Sequence, residues 1–251
     1  MRFEVSDLLF AGFAKNALRS LPPEYGIEFF YEFGKDYYWD EETAAWGRRK
    51  LSIHGPCVAV NLADADDEHY LTAFKATLAY AAKIKAGFVV AHTNEGWQGD
   101  KLQTQLLVRR RLGELLELAA GYNVRLLIEN VGLRTKGNVL FNLEEYLALF
   151  EDFPQAGALL DTGHAHVNGW DLAQAVRALG TRLEACHIHD NSGAGDEHLP
   201  VGLGTIDWQA YFAAVKEYAP QAAQVLEYSC GFDGTEALAR HIAGLKEAYK
   251  L

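Results

Sequence analysis

The sequence predicts a single (β/α)₈ barrel, a TIM barrel of the α/β class, formed by residues 1–251 as one domain. Two observations carry this. Short apolar runs, polar loops and longer 3.6-period segments alternate about eight times. The 251 residues then give about 31 per unit, the size of one strand, one helix and two short loops. The runs are Phe3–Phe10, Gly26–Tyr31, Leu51–His54, Phe88–His92, Val124–Glu129, Ala158–Asp161, Leu183–His189 and Val225–Tyr228. Most are apolar until their last residues, as expected of parallel strands covered on both faces. Helices are expected at Ala14–Ser20, Glu41–Arg49, Asp67–Lys85, Lys101–Gly121, Leu143–Phe150, Asp171–Leu179, Trp208–Tyr218 and Thr235–Lys250. Asp67 and Asp207 stand as N-cap candidates, and Gly121 as a helix end. An open doubly wound sheet is the rival fold, but it would usually show a Gly-rich phosphate turn after an early strand. Gly202-Leu203-Gly204 is late and isolated.

Composition narrows the function classes. With 49% hydrophobic and 23% charged residues the chain can bury a large core, which excludes a disordered protein. The formal net charge of −11 makes nucleic acid an unfavourable partner, because phosphates call for excess Lys and Arg. Cys57, Cys186 and Cys230 form no CxxC and no even set, so no disulfide framework is expected. Met1-Arg2-Phe3-Glu4 lacks the marks of a signal peptide, and no run approaches the ~18 apolar residues of a membrane span. A cytoplasmic protein without a membrane partner is the expectation.

Polar residues that can bind metal close the apolar runs: His54, His92, Glu129, Asp161, His187 and Glu227. Parallel barrel strands deliver their carboxyl ends to one face, so these residues should converge on one mouth. Side chains alternate along a strand, which turns His187 and His189 to one side and leaves Cys186 as a core filler. Glu129, Asp161, His187 and Glu227 offer three carboxylates and an imidazole, suited to Mn²⁺, Mg²⁺ or Co²⁺, with Zn²⁺ also accepted. A divalent ion would also explain how three carboxylates share a pocket. His164, Asp196 and His198, with His54 and His92, could hold further metal or bind substrate. His69 and His241 fall in helical segments and read as surface residues.

Cys186-His187-Ile188-His189-Asp190-Asn191, Asp196-Glu197-His198-Leu199-Pro200 and Gly202-Leu203-Gly204-Thr205-Ile206-Asp207-Trp208 resemble the sugar phosphate isomerase/epimerase branch of the xylose isomerase-like barrel superfamily. That superfamily also includes inosose dehydratases and endonuclease IV, and the resemblance runs through nearly the whole chain. It implies a shared metal site on Glu129, Asp161, His187 and Glu227, with the two glutamates moving protons. It also implies a second answer. Endonuclease IV has a three-zinc cluster, and its pattern matches His54, His92, His164, Asp196 and His198.

The loops favour a sugar. Phe33-Gly34-Lys35-Asp36-Tyr37-Tyr38-Trp39-Asp40-Glu41-Glu42 and Thr93-Asn94-Glu95-Gly96-Trp97 are aromatic and acidic. Such a rim repels a DNA backbone, whereas a neutral polyol could stack on Trp39 or Trp97. Arg134, in Arg134-Thr135-Lys136-Gly137, adds positive charge for substrate or one phosphate. Arg109-Arg110-Arg111 reads as outer-surface charge. The leading expectation is a divalent-metal-dependent sugar isomerase or epimerase that transfers protons between Glu129, Glu227 and a metal-stabilised enediolate. The alternatives are a multi-zinc phosphodiesterase and a noncatalytic sugar-binding barrel. Tyr37-Tyr38-Trp39 could join two copies in a homodimer.

Overall fold

A computed structural model describes residues 1–10, 17–32 and 34–251. Eight strands pair in parallel in chain order: β1 (Arg2–Ser6), β2 (Gly26–Phe30), β3 (Leu51–His54), β4 (Val89–His92), β5 (Leu126–Glu129), β6 (Gly157–Asp161), β7 (Leu183–Ile188) and β8 (Ala223–Leu226). Pairing of β8 with β1 closes the barrel. Around it lie α1 (Asp36–Trp46), α2 (Tyr70–Ile84), α3 (Lys101–Tyr122), α4 (Leu143–Asp152), α5 (Thr162–Val167), α6 (Leu172–Leu179), α7 (Trp208–Tyr218) and α8 (Thr235–Tyr249). The chain therefore forms the (β/α)₈ TIM barrel that its sequence predicts.

Several boundaries differ from the sequence reading. β1 stops at Ser6, and Asp7–Phe10 turns away as a short 3₁₀ segment although Leu8, Leu9 and Phe10 extend the apolar run. Of the expected first helix, residues 14–16 lie outside the described residues, as does Phe33, and Ala17–Ser20 is a 3₁₀ turn. α1 begins at Asp36, so its aromatic and acidic start is helix rather than loop. α3 runs through Gly121 and ends on Asn123, which takes the left-handed conformation. α5 is an additional helix directly after β6. α2 begins at Tyr70, and its N-cap is His69, which makes no side-chain cap bond; Asp67 lies two residues before that cap, where its Oδ1 accepts from His69 N at 2.8 Å and Tyr70 N at 3.2 Å. His69 is exposed, whereas His241 is half-buried and pairs with the Tyr228 hydroxyl at 3.1 Å.

Strand alternation divides the core in two. Ile27, Phe29, Ile53, Val89, Ile128, Leu160, Cys186 and Ile188 join the layer between sheet and helices. Phe88, Val90, Leu127, Leu159, Ala185, Ala223 and Val225 form a separate cluster within the barrel. Two residues further along the same strands stand His92 above Val90, Glu129 above Leu127, Asp161 above Leu159, His187 above Ala185 and Glu227 above Val225. The apolar plug thus forms a floor, and the polar ring lies on it at the carboxyl face.

Candidate metal centre

The ring gathers around His187. Its Nδ1 is buried without a hydrogen-bond partner and faces Glu129 Oε1 at 3.4 Å, Glu227 Oε2 at 3.5 Å and Asp161 Oδ2 at 3.9 Å. The other nitrogen, Nε2, lies 2.7 Å from Glu28 Oε1, with both side chains fully buried. In the neutral ring, donation from Nε2–H to this carboxylate leaves Nδ1 a lone pair directed among three carboxylate oxygens, where a cation could sit. Carboxylate support of a ligating imidazole orients the ring and raises its basicity.

Two further donor sets share this construction. His54 Nδ1 pairs with Gly55 O at 2.9 Å and His92 Nδ1 with Glu95 Oε1 at 2.6 Å, so both rings direct Nε2 inward, 3.1 Å apart. Glu129 Oε2, buried and outside hydrogen-bonding geometry, lies 3.1 Å from His92 Nε2 and 3.8 Å from His54 Nε2. On the other side, His164 Nδ1 pairs with Asn130 O at 3.1 Å and His198 Nδ1 with Glu227 O at 2.7 Å. Their Nε2 atoms meet Asp196 Oδ2 at 3.3 and 3.1 Å. Asp161 serves twice: Oδ1 caps α5 by accepting His164 N at 2.6 Å, while Oδ2 meets His189 Nε2 at 3.0 Å. Gly163 lets the His189 ring approach, since a Cβ there would lie 2.0 Å from His189 Cε1.

The loop bearing Asp196 and His198 is held from below by Asp190, which is fully buried. Asp190 accepts from Asn191 N, Gly202 N, Ile206 N and the Trp208 indole at 2.9, 2.9, 3.2 and 2.7 Å. Backbone pairing with Leu199 closes the loop, and His198 sits at φ 46°. Such a conformation costs about 1–3 kcal/mol and persists because its surroundings over-determine it.

Above the ring is a cavity of about 250 Å³, lined by His54, His92, Glu129, His164, Asp196, His198 and Glu227, with Leu8, Phe30, Asn94, Lys136 and Asn138 among its other walls. Asp161 and His187 lie beneath it, fully buried. Three residues expected to contact substrate lie elsewhere. Trp39 packs on Phe29, with ring centroids 4.4 Å apart, and its neighbour Tyr37 is exposed. Trp97 is half-buried in an adjoining cavity. The Arg134 guanidinium turns to Val167 O, and Lys136 faces the cavity instead. Glu28 and His189 are site residues absent from the expected set. The signal for both was strand parity: Glu28 is the charged, inward residue of its run, and His189 follows His187 by two.

A model of the xylose isomerase-like TIM barrel family matches residues 25–248. The chain belongs to this family. Among solved structures, this xylose isomerase-like barrel superposes on a D-tagatose 3-epimerase-like protein with a TM-score of 0.79, at 22% identity over 99% of each chain. It matches the TTHB071 protein of Thermus thermophilus, soaked with ZnCl₂, with a TM-score of 0.76 at 24% identity over 98% of this chain and 99% of that one. The IOLI protein with a bound zinc gives 0.81 at 18% identity over 99% and 98%. The uncharacterized protein MJ1311 of Methanocaldococcus jannaschii is 29% identical over 110 residues, 42% of this chain and 37% of that one. That match spans little more than a third of the relative's length.

In this xylose isomerase-like site the buried carboxylates and imidazoles shift one another's protonation. Burial alone would raise Glu129, but His92 and His187 hold it well below the usual carboxylate range. Burial would lower His187, yet Glu227, Glu28 and Glu129 push it well up. Burial also opposes protonation of His164 and His198, but Asp161 and Asp196 push His164 up to about 10, and Asp196 and Glu227 push His198 up to about 9. Protons thus supply the charge that a divalent cation would otherwise bring. The orphaned Nδ1 of His187 and oxygens of Glu129 and Asp196 fit such a cation. No helix among the described residues is long and apolar enough to cross a membrane.

Proposed function

We propose that the protein is a divalent-metal-dependent isomerase or epimerase of a small sugar or polyol derivative. The observation that carries this reading is His187 Nδ1 facing oxygens of Glu129, Glu227 and Asp161 at 3.4, 3.5 and 3.9 Å beneath a small polar cavity. Its volume of about 250 Å³ falls below the ~300 Å³ at which pockets for drug-sized ligands begin, which suits one sugar ring. A divalent cation bound there supplies Lewis acidity that polarises a substrate carbonyl.

The residues divide the remaining work. Asp161 and His187, fully buried, are positioned as ligands alone. Glu129 and Glu227 both line the cavity and enter it from widely separated strands, so they can serve as the acid/base pair. Glu129, which lines the cavity, can accept a proton from the carbon beside the carbonyl. Return to the opposite face of that carbon epimerises, and return to the neighbouring carbon isomerises. His54, His92 and His164 place hydroxyls or further ions.

The two outer donor sets favour a second reading, a multi-metal phosphodiesterase. Metal count decides the sign of the site. One dication against Glu129, Asp161 and Glu227 leaves a formal −1, suited to a neutral polyol, whereas three dications against these and Asp196 leave +2, suited to a phosphate. Hydrogen–deuterium exchange of candidate ketoses, with metal analysis of the same sample, separates the readings. Exchange beside the carbonyl that Glu227→Gln abolishes with metal retained supports the isomerase. Three zincs per chain with nicking of abasic DNA and no exchange overturns it, and sugar binding without exchange leaves a noncatalytic barrel.

A further inference from the structure

The loop after β3 sets a thiol beside the imidazole pair. Ligand atoms of His54, Cys57 and His92 all lie within 4.8 Å of one another. The two Nε2 atoms are 3.1 Å apart, and each ring has committed Nδ1 to an oxygen. Two lone pairs then point into the same space. Glu129 Oε2, 1% exposed as a residue and without a hydrogen-bond partner, points there too, at 3.1 Å from His92 and 3.8 Å from His54.

The loop is built to hold the sulfur in place. The Glu32 carboxylate accepts backbone N–H groups of Cys57, Val58 and Ala59 at 2.8–3.2 Å, and it also takes the Cys57 thiol at 3.2 Å. Glu32 keeps its backbone partners if the thiol proton leaves, so Cys57 can exchange that one contact for a cation.

We propose that Cys57 is a ligand of a divalent cation held with His54 and His92, and that its thiolate restricts this position to zinc- or cobalt-class ions. Binding forms one metal–sulfur bond and releases the thiol proton to solvent, with no change of oxidation state. Thiolate and imidazole donors select Zn²⁺ and Co²⁺, whereas carboxylate-rich sites accept Mg²⁺ and Mn²⁺. The position is therefore chemically distinct from the oxygen-rich centre around His187, and it stands whether or not the protein turns over sugars.

The test is cobalt titration of metal-stripped full-length protein, read by absorption. A thiolate-to-cobalt charge-transfer band is expected in the wild type and in Cys230→Ser, and its loss in Cys57→Ser, with zinc affinity reduced by at least roughly the 10–100-fold that a lost outer-shell partner costs. Absence of the band at saturating cobalt, or its persistence in Cys57→Ser, overturns the proposal. Should neither Cys57→Ser nor Cys57→Ala fold, zinc-edge X-ray absorption of the wild type decides: a sulfur shell at about 2.3 Å supports it, and nitrogen and oxygen shells alone overturn it.

Discussion

Replacing Glu28 by Gln removes one charge that touches the candidate metal centre through the His187 ring. The Glu28 carboxylate lies 2.7 Å from His187 Nε2 with both side chains fully buried, so no water can substitute for it. Gln keeps an acceptor oxygen, and the ring should keep its orientation. The imidazole, however, loses the negative partner that makes Nδ1 a strong donor. Loss of such an outer-shell carboxylate costs about 10–100-fold in metal affinity, or roughly 1.4–2.7 kcal/mol. A smaller effect runs the other way, because Glu28 also helps raise His187 and so favours the competing proton. Titration at several pH values separates the two effects, because only the proton competition changes with pH. Calorimetric titration of Mn²⁺ into metal-stripped wild type and Glu28→Gln should show the loss. Glu28→Leu should in addition lower the melting temperature, since breaking a buried pair costs about 3–5 kcal/mol. Affinity in Glu28→Gln within about twofold of wild type, under 0.5 kcal/mol, would refute the idea that Glu28 tunes this ligand.

Metal uptake at pH 8 should release protons, because His164 and His198 titrate near 10 and 9 in the metal-free protein and a cation replaces their protons. Binding heats must then depend on the ionisation enthalpy of the buffer, and equal heats in all buffers would contradict this. The same shifts stabilise the metal-free fold fully below the ordinary imidazole value of 6.5, and that stability is lost as pH rises through about 9 to 10, so its melting temperature should fall across that window. Asp190→Ala orphans the Trp208 indole and backbone donors of the 199–206 loop; at about 3 kcal/mol the melting temperature should drop by roughly 6–12 °C, and an unchanged value would sink the anchoring role. Trp39→Ala should destabilise the fold in a denaturant melt by less than the ~3–5 kcal/mol of a fully buried Trp, and leave Mn²⁺ affinity unchanged, because Trp39 is half-buried and packs on Phe29.

The barrel was legible because apolar runs and 3.6-period segments alternate about eight times, and its mouth because six of the runs carry His, Asp or Glu at their carboxyl ends, where strand alternation fixes which residues share a face. Elements that escaped sequence reading share one feature: their local pattern supports two conformations. Leu8-Leu9-Phe10 prolongs the apolar run of β1 while the chain has already turned. Asp36-Tyr37-Tyr38-Trp39 looks like a rim loop, yet burial of Trp46 and packing of Trp39 make it the start of α1. α5 is only six residues, too short to show a period, and its N-cap is Asp161, the ligand proposed above. Glu28 was hidden because a charge inside an apolar run gives no hint of its partner, which lies 159 residues away.

The most specific stretch of the family resemblance is scaffold as much as chemistry. Of Asp190 to Trp208, only Asp196 and His198 line the cavity, while Asp190, Gly202, Ile206 and Trp208 form the hydrogen-bonded base that holds them. Gly204 belongs to that base, since a Cβ there would lie 2.3 Å from Asn191 O and Asp190 Oδ1. The same logic governs the imidazoles: each Nδ1 of His54, His92, His164 and His198 is committed to an oxygen, which leaves Nε2 to act. A motif that fixes geometry cannot name a substrate. Walls that can include Leu8, Phe30, Asn94, Lys136 and Asn138, which belong to no donor set, whereas the other charged wall outside the donor sets, Glu95, is committed to His92. Of those five only Lys136 carries charge, so if the ligand is the small sugar or polyol proposed above, Lys136→Met should weaken binding of its phosphorylated form and leave the neutral form unaffected, as competition between the two forms would show.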